Sequence, residues 1–203
     1  MNNKIFYALI GLVIGVISTI FIYPSISKTS TTMMNEKTTQ ASDTLDAHFI
    51  EQMIPHHEDA IAMAKLAQIK AQRPEVKTLS NNIVTSQGKE ITQMKNWYKE
   101  WFGRVLPTGN KIMQHHGMMS SSSSMHMGMM GTDQDMEKLS NASDFDTVFV
   151  EEMIPHHQMA VMMAGMLKDG TQRPEMKKLA DEIIKAQTAE VEQMRSWLTK
   201  WNK

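Results

Sequence analysis

Residues 43–101 align with residues 143–201 without a gap, and 24 of the 59 paired positions are identical. Self-similarity at a fixed offset marks a tandem duplication, so the fold must be assembled from two equivalent pieces. The tightest match is Met53-Ile54-Pro55-His56-His57 against Met153-Ile154-Pro155-His156-His157. Met63/Met163, Arg73-Pro74-Glu75/Arg173-Pro174-Glu175, Gln87/Gln187, Glu90/Glu190, Met94/Met194, Trp97/Trp197 and Trp101/Trp201 are also shared. A copy of this size is near the lower limit for supporting its own hydrophobic core, so the two copies are expected to pack together.

Within each copy the apolar period is helical. Leu45, Phe49, Met53, Ala60, Met63 and Ala67 form one stripe that includes His56, and Phe145, Phe149, Met153, Ala160, Met163 and Leu167 form its counterpart with His156. Asp43 and Ser143 read as N-caps of a first helix, which in copy one runs to about Lys70. Pro74 and Pro174, each followed by glutamate, open a second helix that continues through Leu79, Ile83, Met94, Trp97 and Trp101 and their counterparts. The links Ala71–Arg73 and Asp169–Arg173, the latter with Gly170 as a stop, are short enough to force antiparallel neighbours. No segment alternates as a strand does. The expectation is therefore an all-α protein, a four-helix bundle made of two αα-hairpins. Pro55 and Pro155 should kink the first helix of each copy and free a carbonyl near Glu51 or Glu151, unless the helix begins at the proline. Each Trp pair, spaced i,i+4, suits an end of the bundle core.

Outside the copies, residues 5–23 carry no charge and follow Lys4, in a run close to the roughly 20 residues that span a bilayer. Ser25-Ile26-Ser27 offers a small-x-small cleavage site. Residues 1–27 thus read as a signal peptide or an N-terminal membrane anchor, and 28–42 as a linker. Either reading places the remainder in the periplasm or outside the cell, held at the inner membrane by 5–23 if that helix is retained. The copies occupy 43–102 and 143–203, with an insert at 103–142. A net charge of −1 with mixed signs leaves no electrostatic footprint for nucleic acid, and the absence of cysteine removes any disulfide framework.

Methionine is the compositional outlier, at 21 residues. On a helix Met53 stands three residues before His56 and four before His57, so sulfur and imidazole share a face, and Met153, His156 and His157 repeat the arrangement. Met63 and Met163 extend the stripe, while Met94 and Met194 could approach from the second helix. Copy two alone adds Met159, Met162 and Met166, where copy one has Asp59, Ala62 and Leu66. The insert holds His115, His116, Met118, Met119, Met125, His126, Met127, Met129 and Met130 among glycines and serines, a composition that cannot build a core. Thioethers are soft, neutral ligands that favour Cu(I), with Ag(I) as a surrogate, and imidazole extends the set to Cu(II). Structural zinc sites want four Cys or His ligands, and di-iron bundles present Glu-x-x-His where this chain has Met-x-x-His, so both are disfavoured. Met53, Met63 and Met94 and their copies, each taken alone, could equally be core filler. Gln87, Glu90, Gln187 and Glu190 could orient the imidazoles or simply face solvent.

The Met-Ile-Pro-His-His motif, the Arg-Pro-Glu opening the second helix and the Met/Trp spacing near its end resemble the bacterial domain of unknown function 305 family. The resemblance covers about 43–101 and 143–201 and implies a ferritin-like four-helix fold. A two-copy, exported, Met/His-rich member is similar to the CopM-type periplasmic copper-binding proteins of cyanobacteria, which support copper resistance. It implies ligand positions at Met53, His56, His57 and Met63, at Met153, His156, His157 and Met163, and more weakly at Met94 and Met194.

Together these readings describe an exported, non-enzymatic copper binder that captures metal on the insert and stores it in, or hands it on from, the bundle. Its partners would be copper ions and a membrane copper exporter or another periplasmic copper protein. A copper oxidase or cupric reductase, and a purely structural bundle, are the alternatives. The first lacks a His2Cys set, and the second leaves the insert unexplained.

Overall fold

A computed structural model describes residues 40–106 and 133–202. The uncharged run 5–23, most of the 28–42 linker, and the histidines and methionines at 113–130 of the insert lie outside the described residues. The chain divides into two units at Asp43/Thr44; the bundle belongs to the second, and the described residues of the first, 40–43, are helical.

Five helices account for nearly all the described residues, and none of these residues forms a strand: α1 (40–70), α2 (Pro74–Phe102), α3 (Asp133–Ser140), α4 (Phe145–Gly170) and α5 (Pro174–Trp201). None of them is long and apolar enough to cross a membrane. Prolines 74 and 174 open α2 and α5 at the first helical positions, where a missing N–H costs nothing, and Glu75 and Glu175 sit in the first turns.

The helix ends depart from the sequence reading in three places. Asp43 lies inside α1, which is already helical at residue 40, so it is not a cap. The cap of α4 is Asp144 rather than Ser143, its carboxylate accepting from the Thr147 backbone at 3.2 Å and the Thr147 hydroxyl at 2.7 Å. A carboxylate also draws in the Arg73 guanidinium at 3.0 Å, which a serine could not do with comparable strength. Gly170 ends α4 without a left-handed turn. The next residue, Thr171, is extended, and what Gly170 provides is room, because a Cβ there would run into the Leu45 side chain. Among the described residues, the left-handed glycine is Gly103 at the end of α2, with φ of 61°.

Both prolines of the duplicated motif sit inside continuous helices, so neither α1 nor α4 begins at its proline. Glu151, whose carbonyl Pro155 leaves unpaired, is exposed, and water can satisfy it. In copy one the Tyr98 hydroxyl donates to the buried Glu51 carboxylate and Arg104 approaches the same group at 3.8 Å. Burial and this carboxylate push the Tyr98 phenol up to about 12.

Packing divides the core into two clusters. One joins Ala60, Met63, Ala64 and Ala67 of α1 to Phe145, Phe149, Val150 and Met153 of α4, with Val76, Leu79 and Ile83 of α2 and Val191, Met194 and Trp197 of α5. The other joins Phe49, Ile50, Met53 and Ile54 of α1 to Ala160, Ala164 and Leu167 of α4, with Ile91, Met94 and Tyr98 of α2 and Leu179 and Ile183 of α5. The late half of each first helix therefore meets the early half of the other. Helices α1 and α4 run antiparallel, and the copies are related by a pseudo-two-fold axis near their midpoints.

The same relation governs the ends. Trp97–Trp101 and Trp197–Trp201 stack at centroid distances of 5.0 and 6.1 Å in opposite clusters, one pair to each end. Each is covered by the arginine of the other copy, Arg173 over Trp101 at 4.5 Å and Arg73 over Trp201 at 4.1 Å. Asp146, buried at 1% exposure, accepts from the backbone of Gln72 and Arg73 at 3.1 and 2.8 Å and from the Arg73 guanidinium at 3.2 Å. Asp46 pairs with Arg173 at 3.2 Å in the mirrored position. The shared Asp46/Asp146 identity was not singled out from the sequence, although a charged residue repeated on an apolar stripe was the available signal. Asp146→Ala leaves the backbone N–H groups of Gln72 and Arg73 without their acceptor and the Arg73 guanidinium with Asp144 alone, and a loss of about 1–2 kcal/mol in urea unfolding is expected.

Helix α3 was not anticipated; the sequence reading kept 133–140 within the insert. It is anchored by Leu139, 1% exposed in the first cluster, by an ion pair of Lys138 with Glu152, and by Lys70 donating to the Ser140 carbonyl at 2.6 Å.

Candidate metal centre

Between the two apolar clusters, at the crossing of α1 and α4, lies a layer of polar side chains that are buried or nearly so. Histidines enter it because the Met-Ile-Pro-His-His motif falls halfway along each first helix, where the antiparallel partner presents its own copy. His56 and His156 are 7% and 1% exposed, and their ring centroids lie 3.8 Å apart with a 42° tilt. His57 and His157 are fully buried on either side, 6.2 and 6.3 Å from their chain neighbours. Four imidazoles thus gather at the centre of the bundle.

The outer two are fixed by the second helices. His57 Nε2 meets Glu90 Oε2 at 2.6 Å, and His157 Nε2 meets Glu190 Oε2 at 2.7 Å. With Nε2 engaged, the ring edge that remains is Nδ1, which in both residues is buried and unpartnered. A carboxylate holding one imidazole nitrogen while the other faces a prospective ligand is the usual arrangement behind metal-bound histidine. Gln87 and Gln187, each 3% exposed and one turn before the glutamates, bring unpartnered amide atoms to the same layer.

The inner pair differs. Neither Nδ1 nor Nε2 of His56 or of His156 has a hydrogen-bond partner, and all four atoms are buried. Burial pushes the His56 imidazolium down to about 3, with the fields of His57 and His157 acting the same way and the His156 backbone weakly opposing them. His156 is pushed well below its ordinary value, again by burial first and then by the other histidines. Both rings are therefore neutral at physiological pH, with lone pairs available to a cation. Buried polar atoms without partners are costly and uncommon, and six imidazole nitrogens in one layer are a concentrated exception. Among the described residues, no group of three or more His, Asp or Glu is arranged around a metal position.

The methionines fall into two sets. Met53, Met94, Met153 and Met194 are fully buried and Met63 nearly so. Met63 shares a cluster with Met153 and Met194, and Met163 packs at the edge of the cluster holding Met53 and Met94. In this arrangement they are core residues flanking the histidine layer. Met162 and Met166 are instead 50% and 58% exposed, with Met159 and Met163 half-buried beside them on α4. Single solvent-facing residues need no explanation, but spacing at 159, 162, 163 and 166 puts four thioethers on one helix face. Positions 115–130 of the insert lie outside the described residues, so its three histidines and six methionines are not placed.

Two antiparallel hairpins joined across a buried histidine layer define a duplicated, histidine-centred four-helix bundle. The chain belongs to the family described as "Domain of unknown function (DUF305)", which matches residues 46–198. Among solved structures it is similar to CopM in the Cu(I)-bound form, with 46% identity, 78% of this chain and 98% of that chain covered, and a TM-score of 0.64. CopM in the Cu(II)-bound form matches at 48% identity over 77% of this chain and 97% of that one, with a TM-score of 0.65. A DUF305 fragment from Deinococcus radiodurans matches at 26% identity, covering 77% and 96%, with a TM-score of 0.60. An uncharacterized protein, L153, of Acanthamoeba polyphaga mimivirus is 40% identical over 53 residues; the chain spans 35% of that relative's length.

Proposed function

We propose that this protein is an exported copper-binding protein that sequesters Cu(I), and also Cu(II), and hands it on, limiting copper toxicity outside the cytoplasm. The observation that carries the reading is the group of four buried imidazoles with unpartnered nitrogens, set between methionine-bearing clusters. Such a set is tuned to a soft or borderline cation. Similarity to CopM, solved with Cu(I), Cu(II) and silver, supports copper as the cargo.

In this reading the insert, with His115, His116, Met118, Met119, Met125, His126, Met127, Met129 and Met130, captures metal first. The methionines at 159, 162, 163 and 166 provide an intermediate surface, and the bundle interior is the store. Thioether bonds are individually weak, so ions can move between such sites. The uncharged segment 5–23 supports export, and a membrane copper exporter or another periplasmic copper protein would receive the metal. This is a binding role, with no reaction assigned to any residue.

The test is X-ray absorption at the copper edge of the Cu(I)-loaded chain. A first shell containing both nitrogen and sulfur is expected; a shell of oxygen and nitrogen only would remove the thioethers from the account.

A further inference from the structure

We infer that the two copies build one shared metal centre on their pseudo-two-fold axis, a single cation held between His56 and His156, rather than one site per copy. The inference rests on the copper-binding reading and adds to it the number and sharing of the interior ions.

The motif occurs twice, so sequence alone suggests two equivalent sites. The fold removes their independence. His56 and His156 approach to 3.8 Å between ring centroids, closer than either comes to the histidine beside it in its own chain segment. A metal–imidazole bond is about 2 Å long, so an ion on a ring nitrogen of one residue lies within reach of the other. A second cation in the same layer would sit a few ångströms from the first, where little water is present to screen their repulsion.

The inner rings are also the ones able to adapt. An ion binds in the plane of an imidazole, so two rings whose centroids lie 3.8 Å apart at a 42° tilt must turn to share it. No side-chain hydrogen bond tethers either His56 or His156. His57 and His157 cannot turn as readily, because Glu90 and Glu190 hold their Nε2 atoms at 2.6 and 2.7 Å. The tethered outer rings present Nδ1 as walls or additional ligands, while the untethered inner pair closes on the ion. Cu(I), which accepts low coordination numbers, is suited to such a pair.

The experiment compares the full chain with His56→Ala, His156→Ala and the double variant, each titrated anaerobically with Cu(I) against a chromophoric chelator. Sites on the insert and on α4 contribute equally to all four proteins. Each single variant is expected to hold one tightly bound ion fewer than the parent, and the double variant also one fewer. Loss of two ions in the double variant, or of none in the singles, overturns the shared centre while leaving copper binding intact. Absence of tight binding in the parent overturns the copper reading itself and the inference with it. A measurement on the unaltered chain guards against variants that fold poorly. In an Ag(I) titration followed by imidazole NMR, the His56 and His156 resonances are expected to shift in one common step; separate steps would contradict a shared ion.

Discussion

Phe149→Ala is expected to destabilise the protein by about 3–5 kcal/mol, the range for removing a buried aromatic ring and leaving a cavity. Phe149 is fully buried and packs with residues drawn from both copies, including Ala60, Met63 and Ala64 of α1 and Met194 of α5. The lost contacts therefore bridge the two hairpins rather than support one of them. Urea denaturation should show a lower midpoint with an unchanged slope, as expected when the folded and unfolded states keep their exposure difference. Phe49 occupies the equivalent position but is 5% exposed in the opposite cluster, so Phe49→Ala should cost somewhat less. A loss below about 1 kcal/mol at Phe149 would mean that the hairpins do not depend on this shared core.

The metal-free protein is expected to lose stability as pH falls below neutral. The His56 imidazolium lies at about 3 in the folded state, against an ordinary value of 6.5. Between these values the unfolded chain binds a proton that the folded chain excludes, so the full stability contribution is present above 6.5 and declines as pH drops toward 3. From pH 7 to pH 5 the loss attributable to His56 is about 2 kcal/mol. His156, depressed for the same reason, adds in the same direction. Asp59 opposes them: burial and the neighbouring Glu58 push its carboxyl up to about 6, so the folded state takes up that proton first and gains stability as pH falls through 6. Comparing the urea midpoints of the parent and His56→Phe at pH 7 and pH 5 cancels the Asp59 contribution. The pH-dependent loss should shrink in the variant; an identical loss would show that His56 is not buried in its neutral form.

The four helices were legible because their evidence is local. Apolar residues recur at helical spacing, and prolines and short links punctuate the chain at 71–74 and 171–174. The gapless repeat then required the hairpins to be alike. Helix ends were less legible: Asp144 rather than Ser143 caps α4, and Arg73 comes from the link between α1 and α2 to meet it, a contact that sequence spacing does not reveal.

The histidine layer was half legible. The motif marked His56, His57, His156 and His157, but nothing local says that the two motifs meet. That follows from the antiparallel crossing of α1 and α4, which depends on the whole packing solution. Glu90 and Glu190 read equally well as solvated surface until their carboxylates were found on His57 and His157. The methionines were the hardest to assign, since a thioether filling a core and a thioether awaiting a soft metal have the same hydrophobicity and spacing.

The most direct test of the account is an anaerobic competition titration of the chain with Cu(I), alongside His56→Ala/His57→Ala and His156→Ala/His157→Ala variants whose helicity is checked by circular dichroism. Tight binding of several ions by the parent, reduced in both variants, is the predicted result. Binding that is equally tight and equally extensive in the variants would contradict the histidine layer as a metal centre and leave the bundle as scaffold for the insert.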